Sequence, residues 1–347
     1  MERARATVVA LFVASIGAVV NIAPAKAQSR DDNVAHCLDP NPDLAIGGCT
    51  AMIQSGQETD RNLATAFNDR GAAYMNKGQY DLAAADFNES ARLDPDEAST
   101  FYNLGKNYRY KGQNDLAIAD ETEAIRLKPD YAYAFVERGL ANNVKGQYDL
   151  AIADYGEAIR LNPGYAMTFY LRGQAYNIKG QHDLAIADEN EAIQLRPNYA
   201  DAFYVRGRAH DSEGQYGQAV EDYTAVVNLL PNSTNAFNAR CWSRALWGQQ
   251  LADALADCTK SLLLAPNNAY ALDSRGFVYF RLGNYSAAIA DFTAALVLNP
   301  RLSSSLYVRG LAKLRAGDAA GGNADIVEAK AIAPKIAEMY LAYGVAP

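Results

Sequence analysis

The sequence predicts an all-α helical solenoid of helix-turn-helix units, and three periodic observations predict it. Pro95, Pro129, Pro163, Pro197 and Pro231 are spaced by 34 residues, Pro266 follows after 35, and Pro300 and Pro334 resume the interval. Phe67, Phe101, Phe135, Phe169, Phe203 and Phe237 keep the same beat, which Leu272 and Leu306 continue. Between them fall Gly78, Gly112, Gly146, Gly180, Gly214, Gly248, Gly283 and Gly317. Glycine ends a helix by turning left-handed, and proline forces the residue before it out of the helical region. Each unit therefore reads helix, glycine turn, helix, proline break.

In chain order, residues 1–27 come first. "MERARATVVALFVASIGAVVNIAPAKA" carries Arg3 and Arg5, an apolar run from about Thr7 to Ala23, and small residues at Ala25 and Ala27. That is the form of a cleaved secretory signal peptide. A membrane anchor is the alternative, but Ser15 and Gly17 interrupt the run and Pro24 ends it, short of the ~20 residues a spanning helix needs. The expected mature chain begins at Gln28, has no stable membrane span, and is exported to a bacterial periplasm or secreted.

Residues 28–63 read as an amino-terminal capping segment, because "PDLAIGGCTAMIQSG" aligns with "YDLAIADYGEAIRLN" and is the second helix of a vestigial repeat. Residues 64–336 hold eight full units. In the third, Phe135 and Gly139 stand at i and i+4 in the first helix, and Leu150, Ala151, Ile152, Tyr155, Ala158, Ile159 and Leu161 recur at helical spacing in the second. Two short helices cannot bury two apolar faces alone; stacked copies cover one another. Residues 337–347 read as a carboxy-terminal capping helix that covers the last repeat, with Ile336, Met339, Tyr340 and Tyr343 on one face.

Length alone would suggest two or three domains for 347 residues, but the fixed period points to one array. The formal net charge is -8, and removing residues 1–27 takes away three basic side chains and one acidic one, leaving -10. Such a balance argues against nucleic acid as a partner.

A 34-residue helix-turn-helix with an aromatic at position 4, Gly at 8, Tyr at 11, Ala at 20, an aromatic at 24, Ala at 27 and Pro at 32 resembles the tetratricopeptide repeat. Counting units from Ala64, the third supplies Phe135, Gly139, Ala151, Tyr155, Ala158 and Pro163, and the second supplies Phe101, Gly105, Tyr108, Ala117, Ala124 and Pro129. Asn142 and His210 replace the position 11 tyrosine, Glu121 and Glu189 the position 24 aromatic, and Gly322 an alanine, so looser interfaces are expected there.

Four cysteines occur, each pair astride a helix turn: Cys37 and Cys49 about Asp43, Cys241 and Cys258 about Gln249. Cys241 stands at position 8 and Cys258 and Cys49 at position 24, positions that the family packs together between its two helices. With an export signal and an even count, disulfides Cys37–Cys49 and Cys241–Cys258 are expected, four buried thiols being the alternative. No four-ligand zinc cluster accompanies them.

Arg70, Arg138, Arg172, Arg206, Arg240, Arg275 and Arg309 occupy position 7, and Asp86, Asp154, Asp188, Asp222, Asp257, Asp291 and Asp325 position 23. The second unit has Leu104 in place of the Arg yet keeps Asp120. Because an active site needs to occur only once, this recurrent pair reads as a structural ladder, whose exposed members contribute only ~0 to 1 kcal/mol each. No phosphate loop, GxSxG elbow or HExxH helix is present, so the expected protein is not an enzyme and needs no cofactor or metal.

What remains is a surface. In the family the first helices line a concave groove through positions 2, 5, 9, 12 and 13. Carried over by position, the resemblance implies that Tyr102, Arg109, Tyr133, Tyr170, Asn177, Tyr204, Arg208 and Trp242 bind a protein or peptide partner, since Tyr, Trp and Arg are residues of interfaces. The Lys and Asn pair with which the family grips acidic carboxy-terminal tails is not reproduced at any of Asn68 and Ala72, Val136 and Leu140, or Tyr204 and Arg208. The expectation is thus a non-catalytic scaffold of the cell envelope, with a structural part of an envelope assembly or an accessory subunit of an envelope enzyme as alternatives.

Overall fold

The computed structural model describes residues 29–346; the expected signal sequence lies outside the described residues. Among them every regular element is a helix. Residues up to Pro95 and residues from Asp96 onward form two compact units.

The first unit contains α1 (Arg30–Cys37), α2 (Pro42–Ser55), α3 (Asp60–Asn76) and α4 (Tyr80–Leu93). Helix α1 is started by a capping box between Ser29 and Asp32, and α2 by Asn41 followed by Pro42 in its first turn. Sequence reading had only the second helix of this hairpin; α1 is its short first helix. Cys37 and Cys49 are bonded across it with Cα atoms 4.5 Å apart, and Met52 and Ala66 pack around the bridge.

The second unit is a run of hairpins followed by one short helix. The hairpins are α5 (Ala98–Tyr110) with α6 (Asn114–Leu127), α7 (Ala132–Val144) with α8 (Tyr148–Leu161), α9 (Ala166–Ile178) with α10 (His182–Leu195), and α11 (Ala200–Ser212) with α12 (Tyr216–Leu229). Then follow α13 (Thr234–Trp247) with α14 (Leu251–Leu264), α15 (Ala269–Arg281) with α16 (Tyr285–Leu298), α17 (Ser303–Arg315) with α18 (Ala319–Ile332), and α19 (Ile336–Ala342). With α3 and α4 as repeat one, α5 opens repeat two and α17 opens repeat eight. First helices of neighbouring repeats touch (α5 on α7, α9 on α11, α13 on α15, α15 on α17), which puts them on the inner side of the stack.

Within each hairpin the helices meet where position 8 faces position 24. A Cβ on Gly139 would lie 2.6 Å from the Tyr155 ring and one on Gly276 2.9 Å from the Phe292 ring, so the missing side chain is what admits the aromatic. In repeat six this contact is covalent: Cys241 and Cys258, both fully buried, are bonded with Cα atoms 5.5 Å apart. Gly310 and Gly322 face one another in repeat eight, and a Cβ on either would meet the other's carbonyl oxygen at 2.8 Å. The expected looser interface at Gly322 is therefore a closer backbone approach.

The loop closed between Cys241 and Cys258 spans 17 positions, which in the chain-entropy account contributes about 3 kcal/mol. Non-reducing peptide mapping is expected to recover Cys37 with Cys49 and Cys241 with Cys258, and reduction to lower the melting temperature. Cross-paired peptides, or four alkylatable thiols in the exported protein, would contradict this pairing.

The ladder is more deeply set than an exposed array of ion pairs. Each position 7 Arg places Nε and Nη2 on the carboxylate sixteen or seventeen residues ahead, at 2.5 to 3.2 Å, in all seven units that have it. The Asp side chains are only 4% to 11% exposed. The expected contribution of ~0 to 1 kcal/mol applies to solvated pairs; for bidentate pairs at this depth, losing one partner strands a buried charge. The free Nη1 also reaches back to the previous hairpin, donating to Thr50, Thr122, Asn190, Thr224 and Thr293 from Arg70, Arg138, Arg206, Arg240 and Arg309.

Departures from the position 11 tyrosine feed the same ladder. Asn142 Nδ2 donates to Asp154 at 3.0 Å, His210 Nε2 lies 3.8 Å from Asp222, Arg244 binds Asp257, and Lys313 Nζ lies 2.9 Å from Asp325. The looser packing expected at Asn142 is replaced by a further donor to the aspartate, and that at His210 by a hydrogen bond from Nδ1 to Gln215 Oε1 at 2.6 Å. In repeat two, where Leu104 takes the place of the Arg, burial without a cation pushes the Asp120 carboxyl up to about 7.

Candidate interaction surface

The first helices of repeats two to five carry tyrosines whose rings each meet a second tyrosine. Tyr102 lies 5.1 Å from Tyr131 at 41°, and Tyr170 lies 5.1 Å from Tyr199 at 44°, the same arrangement two repeats on. Tyr133 meets Tyr165 edge-on at 6.1 Å, and Tyr204 meets Tyr223 at 5.4 Å. Sequence reading found the first member of each pair but missed Tyr131, Tyr165 and Tyr199, although these stand 34 residues apart just before each next first helix. Each ring is thus packed against its partner on one side.

Beneath two of these pairs sit the position 24 glutamates. Glu121 and Glu189 are fully buried (0% exposed), and neither oxygen of either carboxyl meets a hydrogen-bond partner. Burial, then the neighbouring Asp188 carboxylate, raises Glu189 to about 10 despite Arg206. Burial, then Glu137 and Asp120, raises Glu121 well above its usual range. In both, burial favours the neutral, protonated form of the carboxyl. Burial, with Asp201 and Glu189 nearby, lifts the Tyr170 phenol to about 12, so it stays a donor.

The other expected residues divide into held and open. Arg109 is held: its Nε lies 2.6 Å from Glu137 of the next repeat, and its guanidinium covers the Tyr110 ring at 4.7 Å. Asn177 is held too, donating to the Val205 carbonyl at 3.3 Å and pairing with His182 Nδ1 at 2.8 Å. Tyr133 is 50% exposed, and Arg208 is exposed with no ion pair among the described residues. Trp242 is half-buried between Phe277 at 5.2 Å and Tyr343 at 6.4 Å. Tyr102, Tyr133, Tyr170, Tyr204 and Arg208 thus lie on the first helices of repeats two to five, Arg109 and Asn177 are bonded to the next repeat, and Trp242 lies under the end of the chain.

Three family models, described as "Tetratricopeptide repeat" or "TPR repeat", match residues 236–313, then 71–108, 144–180 and 173–212, and then 98–131 and 200–233. Together they cover well over half the chain. It belongs to the tetratricopeptide repeat family. Solved structures of such repeats align with it at the level of fold. The carboxy-terminal part of a TPR repeat-containing protein from Cytophaga hutchinsonii is 21% identical over 71% of this chain and 99% of its own, with a TM-score of 0.59. A tetratricopeptide repeat protein from Parabacteroides merdae is 18% identical over 72% and 98%, with a TM-score of 0.53. YrrB, described as a TPR protein with an unusual peptide-binding site, is 22% identical over 55% and 98%, with a TM-score of 0.50. No curated protein matches the chain. As a tetratricopeptide repeat protein it is a protein-interaction scaffold. No helix among the described residues is long and apolar enough to cross a membrane, and none of their acidic, His and Cys side chains cluster as a metal site.

Proposed function

We propose that this tetratricopeptide repeat protein is a scaffold of the cell envelope that holds an extended peptide or protein segment along the inner face of repeats two to five. The observation that carries this reading is the row of ring-paired tyrosines, from Tyr102 to Tyr204, ending beside the exposed cation of Arg208. Tyrosines held in place but left partly open give contact area at low entropic cost, and Arg208 can take a carboxylate or a main-chain carbonyl. YrrB, a peptide-binding protein of the same fold, is in keeping with such a use. In this reading residues 28–63 and 337–347 are the end segments of an eight-repeat array over 64–336.

Alanine at Tyr170 or Tyr204 is expected to cost a partner about 2 kcal/mol or more, roughly thirtyfold in affinity, with little change in melting temperature. The partner is recovered by crosslinking in the native envelope and titrated against the variants. If affinity is unmoved while substitutions on the second helices abolish it, the outer face is the binding surface and the protein is a structural part of an assembly.

The envelope location rests on two disulfides, which persist in oxidising compartments, and on the signal-like residues 1–27. Mass spectrometry of the exported protein is expected to give an amino terminus at Gln28. A mature chain that retains the apolar run would refute export by cleavage.

A further inference from the structure

A helix that only capped repeat eight would rest on α17 and α18. The end of this chain goes further. Tyr340 on α19 is buried, stacked on Tyr307 of α17 at 5.4 Å and set edge-on to Phe277 of α15 at 5.7 Å. Tyr343 then meets Trp242 of α13 edge-on, two repeats back from the last. Gly344 adopts φ +73°, a left-handed turn that lets the Val345 N–H return to the Tyr340 carbonyl at 2.9 Å and buries the Val345 side chain. Arginines take the main chain: Arg281 Nη1 donates to the Tyr343 carbonyl at 3.1 Å and Arg315 Nη2 to the Ala346 carbonyl at 3.2 Å.

These are the contacts of a ligand. Two aromatic anchors three residues apart enter a row of inner-face side chains, and arginines donate to the Tyr343 and Ala346 carbonyls beyond the helix. Trp242, Phe277, Arg281 and Tyr307 all lie on first helices, on the side where repeats two to five stay open. The segment is also lightly held from outside. Its seven helical residues follow the Pro334 break, Met339 and Leu341 face solvent, and a cavity of about 570 Å³ lined by Ser303, Ser304, Lys335 and Met339 undercuts its root.

We infer that the inner face of repeats six to eight is a second peptide site, selective for a helical turn of the form Tyr-x-x-Tyr followed by glycine, and that residues 336–346 of the chain are its resident, displaceable occupant. This rests on reading the inner face as a peptide-binding surface, but concerns a different half of it. A partner segment of the same chemistry would enter by exchange with the tail, whose tethering gives it a high effective concentration.

The test uses the full chain and a fluorescent peptide of residues 334–346, followed by anisotropy. Wild type is expected to bind it weakly, and Tyr343→Ala in the chain to bind it at least tenfold more tightly because the competing tail is loosened. Adding Trp242→Ala to that variant should remove the gain, and a peptide with both tyrosines changed to alanine should not bind. Hydrogen exchange on wild type gives a second reading: excess peptide should speed exchange of amides in 336–346 and leave α18 unchanged. No binding to the Tyr343→Ala chain, together with unmoved exchange in the tail, would overturn the inference and leave α19 as a cap. The failure of the reading at repeats two to five is separate, because that is decided at Tyr170 and Tyr204 with the native partner.

Discussion

Replacing Asp257 with alanine is expected to lower the stability of the chain by about 3 to 5 kcal/mol, the cost of stranding buried cations. Asp257 receives Nε and Nη2 of Arg240 at 2.8 and 2.7 Å and is also bound by Arg244, and both guanidinium groups are largely covered. Its removal leaves two neighbouring positive charges facing each other without a counter-ion. Urea denaturation followed by helical circular dichroism should show a clear fall in midpoint. The control is Glu157→Ala, which removes the partner of Arg160 on a solvated face and should leave the midpoint where it was. Equal midpoints for the two variants would mean that the ladder is no more than a surface feature.

The second large effect is a dependence on pH that runs against the usual acid lability of proteins. For Glu189 the folded carboxyl is raised to about 10, above the unfolded value near 4.3, so the folded state holds the proton more tightly. Its contribution to stability is complete below the unfolded value and is lost as pH rises toward the folded one, by up to about 1.4 kcal/mol per pH unit. Glu121 adds to this in the same direction. Asp211 and Asp273, raised to about 6 by burial, and Asp120, raised to about 7, act alike but finish earlier. Melting temperature is therefore expected to fall between pH 7.5 and 9, and the double variant Glu121→Gln, Glu189→Gln to flatten that interval. A slope that survives both substitutions would assign it to other groups.

The repeat architecture was legible because it is written in residues of extreme backbone preference, proline at the breaks and glycine where a left-handed turn or a close approach is needed. Pro163 forbids the helix, Gly146 takes φ +73° at the turn, and Gly139 leaves room for Tyr155. The cysteine pairing was legible for a related reason: symmetry about a turn is preserved when a hairpin folds. The depth of the ladder was not, since Arg and Asp at positions 7 and 23 are consistent with either a wet or a dry setting until the helices are packed. Nor was the role of Asn142 or His210, because a departure from consensus does not say what the new side chain will reach. The fate of Trp242 was hidden for a third reason. Tyr343 lies about a hundred residues away in sequence, and no period connects it to repeat six.

The arginines that reach backward give the array its mechanical character. Each Nη1 that grips a hydroxyl or amide of the preceding hairpin acts as a rivet between neighbouring plates, so a pull on one hairpin is shared with the next. At the junction of repeats three and four the rivet has nothing to close on, since Arg172 faces Gly156. The second unit is therefore not riveted at that junction, which lies among the repeats that carry the paired tyrosines, so load passes between those two hairpins through helix packing alone.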